Sequence, residues 1–137
     1  MIAAILVGVF GVAGALLRFA VDTWFAHRPA ATALGPRARA TAGRTPQHWP
    51  WATLVVNVSG CLIIGLSVGV TGRLGLPGEL HAAVATGLAG GLTTFSSWTT
   101  ATIRLLAESR IAAAVLNVAA NLAAGFAAAA VGVALVS

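Results

Sequence analysis

The chain has 137 residues, 58% hydrophobic and only 8% charged, against roughly 25% charged residues in soluble domains. A mean hydropathy of +0.93 marks a membrane protein whose length accommodates one helical bundle and no soluble domain beside it. The formal net charge of +5 comes from arginines gathered around one loop, a pattern of membrane flanks and not of a nucleic-acid-binding face.

Four windows reach the roughly 20 apolar residues that a helix needs to cross a hydrocarbon core. None alternates in the manner of a barrel strand, and backbone groups in lipid must bond internally. The expectation is therefore an all-α fold, a single domain of four transmembrane helices over 1–137. The first window, about 2–25, begins without a basic segment and runs straight to Arg18, which reads as a retained helix and not a cleaved signal. Its Gly8, Gly11, Gly14 and Ala15 let helix backbones approach closely. Next comes "HRPAATALGPRARATAGRTPQHW", which reads as a mobile, solvated loop over about 27–49, rich in proline, alanine and arginine without apolar periodicity.

The second window, about 51–71, places Thr53 and Asn57 on one face, with Gly65 and Gly69 as a small-residue pair. It also holds Cys61, the single cysteine, which excludes an internal disulfide. The third, about 80–106, contains "GLAGGLTTFSSWTT". Gly90 and Gly91 followed by Thr93 and Thr94 weaken a helix through backbone freedom and side-chain competition. A helix broken near its middle would free carbonyl oxygens, which suit a hard cation. A close-packed glycine pair beside back-bonded threonines accounts for the same letters. The fourth window, about 111–136, is mostly alanine, with Asn117 and Asn121 four residues apart and Gly125 continuing their stripe.

An asparagine in hydrocarbon is costly unless its amide is hydrogen-bonded or wetted. One such residue serves as interhelical glue; three, together with the hydroxyls of the third window, point to a polar track. Apart from Asp22 near the end of the first window, no carboxylate falls within a span, which speaks against a proton or cation pump. Amide N–H groups, hydroxyls and the positive edges of aromatic rings can solvate an anion without holding it tightly. Phe95 and Trp98 are candidates for that role, although packing alone explains both. His27, His48 and His81 lack metal-ligand spacing, and no nucleophile–base arrangement or phosphate loop is present, so no enzyme is expected.

The arginines set an orientation. Arg28, Arg37, Arg39, Arg44, Arg104 and Arg110, with Arg18 nearby, lie on one side of four crossings, and Arg73 alone lies on the other. By the positive-inside rule the first loop is cytoplasmic and both termini are external.

"GVAGALLRF" (11–19), "TLVVNVSG" (53–60) and "GGLTTFSSW" (90–98) resemble, in order and spacing, the signature segments of the CrcB/Fluc fluoride channel family. The resemblance covers all four windows; the arginine-rich loop is extra. It implies an antiparallel dimer with two fluoride pores and a central sodium ion held by carbonyls of Gly90 and Thr93 from each subunit. It implies that Asn57 donates to fluoride, that Phe95 is a pore aromatic, and that Asn117 and Asn121 continue the polar track. Arg18 matches a vestibule arginine whose positive potential attracts anions. Thr53, Thr94, Ser96 and Trp98 complete the expected pathway, with Asn121 and the Thr94 and Ser96 hydroxyls as donors.

The chain departs from the family pattern at four places. Trp98 stands where a second phenylalanine is usual, Ala101 where a glutamate is, and Asn117 and Asn121 where tyrosine and serine are. The arginine bias also opposes insertion in both orientations, so an inverted paralogue is an expected partner beside a second copy. The resulting reading is a channel subunit in the plasma membrane, the inner membrane of a bacterial cell, that lets cytoplasmic fluoride leave passively and reduces its toxicity. The alternatives are a non-conducting partner subunit of a heterodimeric channel and a small four-helix multidrug exporter, which would want a glutamate that the first window lacks.

Overall fold

The computed structural model describes residues 1–27 and 49–136. Arg28, Arg37, Arg39, Arg44 and His48, and with them nearly all of the loop expected over 27–49, lie outside the described residues. Among the described residues three helices are long and apolar enough to cross a membrane: α1 (Ile2–His27), α2 (Trp51–Leu74) and, last in the chain, Ile111–Ala134. The protein is a multi-pass, all-helical membrane protein.

Between α2 and that last helix the backbone is less regular. Gly75, in the left-handed region at φ 60°, ends α2. Pro77, extended at φ −56° and ψ 139°, leads into the short α3 (Gly78–Ala82). The chain continues as a π-helix over Ala83–Ala89 and then as the single turn α4 (Gly90–Leu92). Thr93 turns extended at φ −72° and ψ 158°, and Thr94 follows at φ −146° and ψ 114° before α5 (Phe95–Ala107) begins. Thr94 starts α5 because its Oγ1 accepts the Ser97 N–H at 3.2 Å, a side-chain N-cap. At the other end of α5 the N–H of Ser109 donates to Leu106 O and that of Arg110 to Leu105 O, both at 2.9 Å. That pair of bonds forms a Schellman motif, and it holds Ser109 at φ 58° before α6 (Ile111–Ala134).

The bundle packs by backbone approach. α2 lies chiefly along α6, and α1 along the π-helical stretch and α4. A Cβ added at Gly65 would fall on the carbonyl oxygen of Ala129, and one at Gly132 would lie 2.6 Å from Leu62 O. Likewise a Cβ at Gly14 would meet Leu88 O, and one at Gly91 would meet Gly11 O. Glycine at these points lets helices touch through main-chain atoms, the usual basis of association between apolar spans. The apolar side chains of α1, among them Ile5, Val9, Leu16 and Phe19, are exposed and suit a lipid surroundings. The interior is thin. Its largest fully buried side chains are Leu105, Val56 and Asn117, so an asparagine belongs to the core.

Candidate functional site

Leaving helical geometry at Thr93 and Thr94 releases main-chain polar groups that lipid cannot satisfy. The chain supplies partners for them. Asn57, in the second turn of α2, accepts the Thr94 N–H on Oδ1 at 2.8 Å and donates from Nδ2 to the Thr94 carbonyl at 3.4 Å. Arg18 of α1 donates from Nη1 to the Thr93 carbonyl at 3.2 Å. The Thr93 N–H keeps a helical partner, Ala89 O, at 2.9 Å. Because the Thr94 N–H turns to Asn57, the Gly90 carbonyl loses its ordinary i+4 donor, and the Thr93 hydroxyl reaches it at a long 3.5 Å.

A chain of amides continues from Asn57 into α6. Its Nδ2 also donates to Asn121 Oδ1 at 3.0 Å. Asn121 Nδ2 donates to the Asn117 main-chain carbonyl at 2.9 Å and to Asn117 Oδ1 at 3.2 Å. Asn117, with 0% of its surface exposed, donates to Thr102 Oγ1 at 2.9 Å. The Thr102 hydroxyl donates in turn to the Trp98 carbonyl at 2.8 Å, and the Trp98 indole N–H returns to the Asn117 carbonyl at 3.3 Å. Asn117 therefore grips Trp98 at two ends, through its own main chain and through Thr102. The Phe95 ring stands edge-on to Trp98, with centroids 5.6 Å apart and planes at 71°.

Beside this network lies an open cavity of about 750 Å³ between the C-terminal end of α1, the N-terminal end of α2 and one face of α5. Thr53, Ser96, Ser97 and Thr100 contribute hydroxyls to it, with Asp22 and Arg104 as its charged residues. Thr53 is buried and one helical turn from Asn57, so it joins the cavity to the amide chain.

Residues 5–133 match the family described as CrcB-like protein, Camphor Resistance (CrcB). The chain belongs to the CrcB-like family. It is 42% identical over 131 residues to a protein of Renibacterium salmoninarum named fluoride-specific ion channel FluC, covering 96% of each chain. It is 39% identical over 133 residues to fluoride-specific ion channel FluC 1 of Thermobifida fusca, covering 97% of this chain and 94% of that one. A FluC of Pseudomonas syringae pv. tomato is 39% identical over 106 residues, 77% of this chain and 73% of its own.

In this CrcB-like chain, hydrogen bonds link seven of the residues singled out in the sequence: Arg18, Asn57, Thr93, Thr94, Trp98, Asn117 and Asn121. Thr53 and Ser96 line the adjoining cavity, and Ser96 Oγ lies 3.4 Å from Thr94 Oγ1. Phe95 stands apart, 73% exposed with its ring against Trp98, while Gly90 is tied to Thr93 through its carbonyl and faces open space where a Cβ would point.

Thr102, Ser97, Asp22 and Arg104 join the site without having been singled out for it. For Thr102 a signal was available, since it lies four residues after Trp98 and on the same helical face. Gly90 and Thr93 offer neutral carbonyl oxygens, the donor type a hard cation takes. Gly90 O has lost its helical donor and keeps only the long bond from the Thr93 hydroxyl, whereas Thr93 O also carries the Arg18 guanidinium at 3.2 Å, so one chain offers two carbonyls of the sodium type, one of them shared with a cation. Among the described residues no group of His, Cys, Asp or Glu is placed to hold a metal.

Proposed function

We propose that the chain is a subunit of a fluoride-specific channel of the plasma membrane. The observation that carries this reading is the run of amide and hydroxyl groups from Thr53 through Asn57 to Asn121 and Asn117, set in a bundle whose buried side chains are mostly apolar. The name of the relatives, fluoride-specific ion channel, supports the choice of ion.

In this reading the segment from Gly78 to Ala107 is one crossing, interrupted at Thr93 and Thr94. Fluoride is small and strongly hydrated, so the path must replace its water with donors that also let it go. Asn57 and the hydroxyls of Thr53, Thr94 and Ser96 provide neutral donors, and the ring edges of Phe95 and Trp98 provide weak positive ones. Arg18 raises the local potential for an anion. An inside-negative membrane then drives fluoride outward, by about 2.3 kcal/mol for each 100 mV.

The functional unit is an antiparallel dimer, for which the exposed Phe95 and the open Gly90 face are the supporting features. A sodium ion would be held by the Gly90 and Thr93 carbonyls of two subunits, where it supplies a fixed positive charge that ties the interrupted crossings together. The arginine bias favours a cytoplasmic first loop, external termini and an inverted paralogue as partner. The closed Asn57–Asn121 bond keeps a second reading in play, a non-conducting partner of such a paralogue.

Fluoride release from liposomes, with the protein alone and with an inverted paralogue, tests the proposal against chloride as control. Fluoride release without chloride release supports it. Assembled protein that releases neither ion in either combination would refute it, and release in the paired sample alone selects the heterodimer.

A further inference from the structure

We infer that Asn121 sets the rate of ion passage: it occupies an Asn57 amide proton and presents an acceptor oxygen where an anion needs a donor. The inference rests on the fluoride reading above and reverses the donor role that the sequence alone implies for Asn121.

Main-chain groups fix the orientation of both amides. The Thr94 N–H can only donate, and it lies 2.8 Å from one end of the Asn57 side chain, so that end is Oδ1 and the other is Nδ2. The Asn117 main-chain carbonyl can only accept, and it lies 2.9 Å from one end of the Asn121 side chain, so that end is Nδ2. The facing atoms are then Asn57 Nδ2 and Asn121 Oδ1, 3.0 Å apart. Flipping either amide would set donor against donor or acceptor against acceptor.

Of the two Asn57 protons one is held by Asn121 at 3.0 Å and the other reaches Thr94 O only at a long 3.4 Å. Both Asn121 protons go to Asn117. An anion on the Asn121 side of Asn57 meets the partial negative charge of Asn121 Oδ1, and taking the Asn57 proton that faces it requires that the Asn57–Asn121 bond break. Asn121 is buried, so water does not readily stand in for either partner. A serine there carries a rotatable hydroxyl on a shorter side chain and releases the Asn57 proton. Removing one such bond from the barrier corresponds to about a threefold to tenfold faster passage.

The test is fluoride efflux from liposomes containing the full chain as wild type, Asn121→Ser, Asn121→Ala, Asn57→Ser and the Asn57→Ser/Asn121→Ser double variant. Each is matched for assembled protein. The expected result is a gain of about threefold to tenfold in both single Asn121 variants that disappears when Asn57 is also replaced. A conducting wild type with no gain on Asn121→Ser overturns the inference and leaves the fluoride reading intact. A gain that persists without Asn57 reports loosened packing and also overturns it. Silence of wild type and both Asn121 variants, alone and paired with an inverted paralogue, sinks the fluoride reading and the inference together. A fluoride titration of isotope-labelled wild type gives a readout that needs no variant to fold. The side-chain amide signals of Asn57 and Asn121 should move together, and a fixed Asn121 signal contradicts the inference.

Discussion

Asn57 bonds both main-chain groups of Thr94, accepting its N–H at 2.8 Å and donating to its carbonyl at 3.4 Å. One side chain on α2 thereby takes the place of the helical acceptor that the Thr94 N–H loses where α4 ends and α5 begins. Structure and proposed function meet at this residue, because the amide that supports the irregular backbone is also the donor a passing anion would use.

Replacing Asn57 by alanine should therefore destabilise the fold as well as stop flux. The buried Thr94 N–H loses its partner, while the Thr94 carbonyl, which caps α5, loses only a long second bond, at a cost of roughly 1–3 kcal/mol in all. Thermal unfolding in detergent should show a markedly lower midpoint than wild type. An unchanged midpoint would mean that Thr94 is satisfied in some other way.

Two glycines of α1 should behave oppositely. A Cβ at Gly14 would meet Leu88 O and lie 2.8 Å from Leu92 N, whereas one at Gly8 has nothing within 4 Å. Gly14→Ala should lose about 1–3 kcal/mol by forcing backbones apart, and Gly8→Ala should leave the unfolding midpoint close to wild type. Equal effects of the two substitutions would contradict the packing of α1 on the π-helical stretch.

Ser109 holds a left-handed conformation at φ 58° in the turn between α5 and α6. Glycine adopts that conformation without the Cβ clash, against some added freedom in the unfolded chain. Ser109→Gly should gain about 0.5–1 kcal/mol, read as a raised unfolding midpoint. A loss would show that the serine side chain contributes more than its strain removes.

Arg18 brings a positive charge to the interrupted segment, 3.2 Å from Thr93 O. Arg18→Gln should lower fluoride flux most at low ionic strength, since added salt screens the potential that the arginine supplies. Flux measured across a salt series decides this. A deficit independent of salt would assign Arg18 to holding the backbone alone.

Much of this was legible before any coordinates. Hydropathy alone marked the spans that became α1, α2 and α6, and the three asparagines stood out because hydrocarbon penalises them. The π-helix over Ala83–Ala89 was not legible, since alanine, valine and glycine serve an α-helix equally well. Nor was the direction of the Asn121 amide. Spacing places Asn117 and Asn121 on one face, but donor and acceptor are decided by Thr94 and by the Asn117 carbonyl, groups fixed only by tertiary structure. Spacing does put Thr102 on the face of Trp98, but the partner of its hydroxyl is set by α6, which brings Asn117 to it.

The most direct test of the central claim is fluoride-electrode efflux from liposomes carrying equal amounts of assembled wild type or Asn57→Ser, with chloride release followed in parallel. The account predicts fluoride release by wild type at least about tenfold above the variant, the scale of losing the Asn57 amide donors, and chloride release no faster than from empty vesicles. Equal fluoride release from the two proteins, or chloride release matching fluoride, would contradict it.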